Sequence, residues 1–256
     1  MNVSELLNIV NSLVPLEYAF EDDYVGITIG SEQSEVTGIV VGHELDKSLL
    51  KYCIDENVNT IISYHPPSLK KVIEDDDTES LIPETITKEF IDNSINVITL
   101  HTAQDVCKGG NADTLVKIFN LKNTKIFAHT IGNFGAGRIG DIKGLSNDAF
   151  KKLVECKLNT SSIRTNEYFY NLKEINKIAI LPGSGTQFID EILEEVDVFV
   201  TGDISHRYLL KADDANMGLL QVGHITTEIP GMKKFVENIN KALNQELEYL
   251  YKDFYE

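Results

Sequence analysis

Residues Gly218–Glu228 read GLLQVGHITTE. This is a short apolar strand that ends in a glycine and delivers a histidine, then a carboxylate four residues on. Residues Asn96–Asp105, NVITLHTAQD, repeat the form: apolar strand, His101, three residues, Asp105, with a helical pattern starting soon after. Neutral imidazole nitrogen and anionic carboxylate oxygen are the usual ligands of Zn, Mn, Fe and Ni, so each strand end carries the donors of a divalent-metal site. Spacing alone is weak support. With 40 acids in 256 residues, roughly one His in six has an acid four positions on by chance. The stronger point is that both pairs follow a buried strand.

Outward from these two stretches, the chain alternates strands and helices. Ser4 to Leu13 carries a helical apolar stripe with Ser4 as N-cap, closed before Pro15. Val25 to Ile29 alternates and ends at Gly30. Gly38 to Val41, Asp46 to Glu56 and Val58 to Tyr64 form a strand–helix–strand unit, which implies a parallel sheet. His65-Pro66-Pro67 stops the strand, and the acidic tract Glu74 to Glu79 reads as a solvated loop. Pro83 opens a helix, Val97 to Leu100 is a strand, and Ala112 to Phe119 is a helix after the Gly109-Gly110-Asn111 turn.

The second half begins with a glycine-rich run, Gly132 to Gly144, and a helix over Asn147 to Lys157. Then come a strand (Ile178 to Leu181), a tight turn (Pro182 to Gly185), a helix (Gln187 to Glu195), a strand (Val198 to Thr201) and a helix (Asp203 to Ala212). After the Gly218 strand, Pro230 to Leu243 is helical, and Leu247 to Tyr251 is an edge strand. Residues 38–65 correspond to 177–203, and 95–119 to 218–240. The expected fold is therefore α/β, with two intertwined, duplicated units related by a pseudo-twofold axis. The halves are 1–125 and 126–256, with a boundary that becomes discontinuous if strands are exchanged. Ligands of such sheets sit beyond the carboxyl ends of the strands.

Composition excludes several classes. The chain is 42% hydrophobic and 25% charged, enough for one large or two modest cores. Its formal charge of -17 disfavours nucleic acid and anionic membrane as partners, and its basic residues occur only in short pairs such as Lys70/Lys71. Cys53, Cys107 and Cys156 are odd in number and far apart, so they form neither a disulfide framework nor a thiolate zinc site. No apolar run reaches membrane-span length, and no basic leader opens the chain. The expectation is a soluble, cytoplasmic protein.

Among the candidate site residues, His224, Glu228 and Asp105 read as metal ligands. His101 reads either as a ligand or as a partner holding Asp105 or the backbone. His65 ends a strand before two prolines that keep it extended, and becomes a ligand in the company of the others. His43, beside Glu44 at the end of the first parallel strand, lines the same crevice. Gly135 to Gly140 spells G-x-G-x-x-G but lacks the helix and the acid that a dinucleotide site needs. Gly183-Ser184-Gly185 is a better anion cradle, set between a strand and a helix start.

With these residues in view, the chain resembles the YbgI-type family, the homologues of NGG-one-interacting factor three, often called GTP cyclohydrolase I type 2 homologues. The matching pieces run in family order: Tyr64-His65-Pro66, His101-Thr102-Ala103-Gln104-Asp105, Gly137-Arg138-Ile139-Gly140, Leu181-Pro182-Gly183-Ser184-Gly185, Asp197 to Asp203, and Gly223-His224 to Glu228. The resemblance implies a duplicated α/β fold, a two-metal site between the halves, and a ring-like homo-hexamer. It places the metal ligands on His65, Asp105, His224 and Glu228. The family motif has a His-His pair where this chain has Tyr64-His65, and a neutral phenol is a poor ligand unless a metal ionises it. One or two ions, Zn, Mn, Fe or Ni, are therefore expected. The implied activity is metal-dependent hydrolysis of a small nucleotide-like or phosphate-bearing substrate, with His101, His43 or Tyr64 in supporting or proton-transfer roles. A metal-binding regulatory or scaffold protein without turnover is the alternative, and Tyr64 adds weight to it.

Overall fold

Runs of β-branched residues closed by glycine, asparagine or proline frame this structure, a computed structural model that describes residues 1–73 and 79–252. Packing divides the chain into a unit made of Met1–Gln104 with Phe235–Lys252 and a unit made of Asp105–Lys234.

The first unit opens with α1 (Val3–Leu13), which buries Val3, Leu6 and Val10. Its cap is Asn2 rather than Ser4: the Asn2 side chain accepts from the Glu5 amide at 2.8 Å, and Glu5 accepts the Asn2 amide in return. This reciprocal pair satisfies two amides that have no partner inside the helix. The strands β1 (Gly26–Ile29), β2 (Ile39–Gly42) and β3 (Thr60–Ser63) are short, with α2 (Lys47–Asp55) between the last two, capped by Asp46. A hairpin of β4 (Leu69–Ile73) and β5 (Glu79–Pro83) follows, then α3 (Thr85–Asp92), β6 (Asn96–Thr99) and the start of α4 (Thr102–Val106), which passes into the second unit at Asp105. The hairpin corrects the expectation that Pro83 opens a helix; Pro83 ends a strand, paired with Leu69. Of the acidic tract, residues 74–78 lie outside the described residues, and Glu79 belongs to β5.

The second unit contains α5 (Asn111–Phe119), β7 (Lys122–His129), β8 (Gly135–Leu145), α6 (Asn147–Leu158), β9 (Arg164–Thr165), β10 (Ile175–Ser184), β11 (Val198–Asp203), α7 (His206–Asp214) and β12 (Gly218–Gln221). The helix α8 (His224–Leu243) starts in this unit and ends in the first, where β13 (Tyr249–Leu250) follows. Five sequence expectations change here. The glycine-rich run is the long strand β8: a Cβ on Gly137 would fall 2.3 Å from the Phe127 ring, and one on Gly135 would fall 2.7 Å from the Phe127 carbonyl. Its glycines thus admit the neighbouring β7 and not a pyrophosphate. The expected turn at Pro182 to Gly185 is largely strand, since β10 continues to Ser184. The helix expected over Gln187 to Glu195 is a single 3-10 stretch, Thr186–Glu191, and α7 begins at His206 rather than Asp203. Finally, α8 begins at His224 and carries Pro230 inside it.

Sheet order in the first unit is β1-β6-β3-β2-β13, and in the second β7-β8-β10-β11-β12-β9. The strands β2, β3 and β6 are adjacent and parallel, as are β10, β11 and β12. An antiparallel strand flanks each triplet, β1 beside β6 and β9 beside β12. The same sheet motif therefore occurs in both units, as the duplicated element order anticipates. Each unit has its own core. In the first, Val40, Leu49, Ile61, Phe90 and Val97 pack together; in the second, Phe119, Phe150, Phe169, Ile178, Val198 and Leu220 do so. Side chains of this kind contribute roughly 1.5–3 kcal/mol each when fully buried. No helix of the described residues is long and apolar enough to cross a membrane.

Candidate functional site

In the first unit, the parallel register aligns Gly42 with Ser63 and Ser63 with Thr99. The residues that follow each strand then emerge side by side: His43 after β2, Tyr64-His65 after β3, and His101 two residues after β6. Four rings cluster there. The His43 and His65 rings each lie 4.8 Å from Tyr64 and 5.2 Å from each other, while His101 lies 5.6 Å from His65 and 6.1 Å from Tyr64. Tyr64 is only 1% exposed.

Every imidazole in this cluster has a partner on Nδ1. His65 Nδ1 is 2.6 Å from Glu44 Oε1, His101 Nδ1 is 2.5 Å from Asp23 Oδ1, and His43 Nδ1 is 2.7 Å from the Tyr249 hydroxyl. A carboxylate on Nδ1 holds the proton on that nitrogen and the lone pair on Nε2, the arrangement typical of metal-binding histidines. Asp23 also accepts from the Thr102 amide and hydroxyl. Burial tends to raise the Asp23 carboxyl, but these hydrogen bonds and the His101 charge outweigh it and hold it below the usual carboxylate range. His101 itself has φ +38°, an uncommon conformation for a non-glycine residue, fixed by its amide donating to the Tyr64 carbonyl at 2.9 Å.

In the second unit, Gly183 lies near the end of β10, Asp203 ends β11, and His224 follows β12. His224 Nδ1 is 2.7 Å from Asp203 Oδ2, and its Nε2 is 3.1 Å from Glu228 Oε1, one helical turn on. Burial alone would lower the His224 pKa; Glu228 and then Asp203 more than reverse this and push it up to about 9. Glu228 is 2% exposed. Its carboxylate is admitted by Gly183 (φ +65°), where a Cβ would fall 2.5 Å from Oε1. The Gly183 amide donates to Thr227 Oγ1 at 2.9 Å, Ser184 is exposed beside Asp203 in the sheet register, and Gly185 packs against Phe199. Asp105, buried in α4, accepts from Asn111 Nδ2 at 2.8 Å. Gly231 makes room for that asparagine, since a Cβ there would fall 2.0 Å from Asn111 Oδ1.

Within the first unit the structure thus groups His43, Tyr64, His65 and His101; within the second it groups Gly183, His224 and Glu228, with Asp105 held by Asn111. His43 and His65 in the first unit and Glu228 in the second are donors of the types a divalent ion takes. Sequence reasoning missed the supporting residues. Asp203 ends the DVFVTGD stretch and Glu44 adjoins His43, so both were within reach. Asp23 and Tyr249 are 78 and 206 positions from their histidines, and no local pattern ties them together. Burial pushes the Cys53 thiol up to about 11 and Cys107 to about 12, which marks both as inert core residues.

Fold and donors define a class: an α/β protein with a repeated parallel-strand triplet that presents imidazoles and carboxylates at its strand ends. A family model described as Duf34/NIF3 (NGG1p interacting factor 3) matches residues 1–254, and the chain belongs to that family. A GTP cyclohydrolase 1 type 2 homolog of Clostridium acetobutylicum is 28% identical over 250 residues, which cover 96% of this chain and 92% of the relative. A protein of the same description from Methanocaldococcus jannaschii is 28% identical over 253 residues, covering 96% and 98%. The solved structure of reduced HcgD from Methanocaldococcus jannaschii superposes with a TM-score of 0.82 at 25% identity, covering 98% of each chain.

Proposed function

We propose that this protein is a divalent-metal-dependent hydrolase acting on a small nucleotide-like or phosphate-bearing substrate. The observation that carries the reading is the support behind its histidines: His65, His101 and His224 each set Nδ1 against a carboxylate, which leaves Nε2 to ligate an ion at His65 and His224 and to exchange a proton at His101. His43 and His65 on the first unit, and Asp105, His224 and Glu228 on the second, are the donors we assign to one or two ions of Zn, Mn, Fe or Ni. An ion held there would supply Lewis acidity and a water of lowered pKa. His101, held by Asp23, is the residue we assign to proton transfer at the leaving group. The relatives described as GTP cyclohydrolase 1 type 2 homologs favour a nucleotide-like substrate.

A second reading, a metal-binding regulatory or scaffold protein without turnover, is favoured by one observation: a buried phenol, Tyr64, stands among the imidazoles of the first unit. The two readings separate on metal content per chain and hydrolysis of a phosphoester and nucleotide panel by wild type and Tyr64→His. Turnover that depends on the ion supports the hydrolase. Metal-loaded protein inert in both forms supports the second reading, and failure of wild type to retain any divalent ion removes both. Assembly as a homo-hexamer belongs to the same proposal, and light scattering on the purified chain tests it.

A further inference from the structure

We propose that the short strand β13 is a working part of the metal-binding end of the first unit, with Tyr249 as a positioning residue that lets His43 reverse the roles of its two ring nitrogens. The proposal rests on the metal-binding reading above. The strand is short, Tyr249–Leu250, yet it holds His43 twice. Its main chain fixes β2, with the Val41 amide donating to the Glu248 carbonyl and the His43 amide to the Leu250 carbonyl, both at 2.9 Å. Its Tyr249 hydroxyl sits 2.7 Å from His43 Nδ1. His43 has no exposed surface, so each ring nitrogen must meet a partner supplied by the fold or by a ligand.

The chemistry of that partner sets His43 apart. A carboxylate only accepts, so His65, His101 and His224 are held with the proton on Nδ1. A phenol both donates and accepts. When the Tyr249 hydroxyl donates to Nδ1, the His43 proton lies on Nε2, and His43 is a hydrogen-bond donor there. When Nδ1–H donates to the phenol oxygen, the lone pair lies on Nε2, and His43 is a metal ligand. Rotation of one hydroxyl hydrogen, with the ring proton moving from one nitrogen to the other, converts one neutral form of His43 into the other. The Tyr249 ring lies against that of the exposed Tyr251, with ring centroids 5.0 Å apart.

Side-chain 15N NMR of the full-length chain, metal-free and then titrated with Zn2+, tests this. In wild type, Zn2+ should move His43 to the Nδ1–H form. In Tyr249→Phe, which keeps the ring and loses the hydroxyl, the metal-free His43 resonances should shift, and Zn2+ affinity should fall about 10- to 100-fold. Tyr251→Phe should leave both unchanged. Should Tyr249→Phe fold poorly, a ring-fluorinated tyrosine at 249, a stronger donor, should move the metal-free His43 resonances toward the Nε2–H form. Metal-free His43 shifts that are the same in wild type and both variants overturn the proposal. A wild-type chain that takes up no Zn2+ removes the metal-binding reading, and the metal-free shifts then still decide whether Tyr249 sets the His43 tautomer.

Discussion

Gly183 matters for the atom it lacks. Its φ of +65° and the 2.5 Å separation between a hypothetical Cβ and Glu228 Oε1 mean that any side chain strains the backbone and displaces the carboxylate. Gly183→Ala should therefore cost roughly 1–2 kcal/mol from the left-handed backbone alone. It should weaken ion binding as well, read by denaturant titration and by calorimetry with a divalent ion. His224 gives a pH signature. Its pKa in the metal-free fold, about 9, lies above the ordinary 6.5, so its ion pairs with Glu228 and Asp203 stabilise the fold fully below pH 6.5. That stabilisation is lost as pH rises through 9. Thermal melts of metal-free wild type and His224→Gln should differ most near pH 6 and converge toward pH 10; a difference that grows with pH contradicts the assignment. Asp23 has the opposite sign. Its lowered pKa contributes stability above the usual carboxylate range, lost as pH falls through its own lower value.

At the scale of elements, legibility followed the strength of the local pattern. The strands β2, β3, β6, β11 and β12 are short apolar runs; β3 and β12 lie inside the stretches read from the sequence, β2 and β6 are offset by one residue, and β11 runs two residues further. The hairpin of β4 and β5 and the strand β7 were missed because their residues are largely polar or solvent-facing: β4 reads LKKVI, and most of β7 is exposed. The strand β8 was hidden by glycines whose role, close approach of Phe127 and its backbone, appears only when the neighbouring strand is in place. The site followed the same rule. The placement of His65, His101 and His224 after strands was legible from strand-then-histidine order, whereas Asp23 and Tyr249 meet their histidines only through tertiary structure. At the start of α1, Asn2 displaced Ser4 because the buried face begins at Val3, so the helix starts two residues earlier than a Ser4 cap would allow. Asn2→Ala should destabilise the first unit by about 1 kcal/mol. Amide exchange should quicken across Val3 to Leu6 and leave the second unit unaffected; uniform loss of protection in both units would show that they unfold together.

For the whole molecule, the question is whether a formal charge of -17 or a specific ion dominates its response to salt. Self-repulsion in an acidic chain is relieved by any electrolyte, and this screening requires about 0.1 M salt for a Debye length near 10 Å. A bound ion acts by mass action instead. At 100 times its dissociation constant it adds about 2.7 kcal/mol of stability, provided it binds the folded state alone. The two mechanisms thus separate by concentration. Micromolar Zn2+ or Mn2+ should raise the melting temperature of chelator-treated protein at constant ionic strength, and chelator should reverse the gain. Glu228→Gln and His65→Ala should each abolish most of it, because each removes an assigned donor while changing the net charge by no more than one. If both variants keep the wild-type gain, the ion is being held elsewhere on the acidic surface, and the strand-end histidines are then a hydrogen-bonded cluster with no metal-binding role.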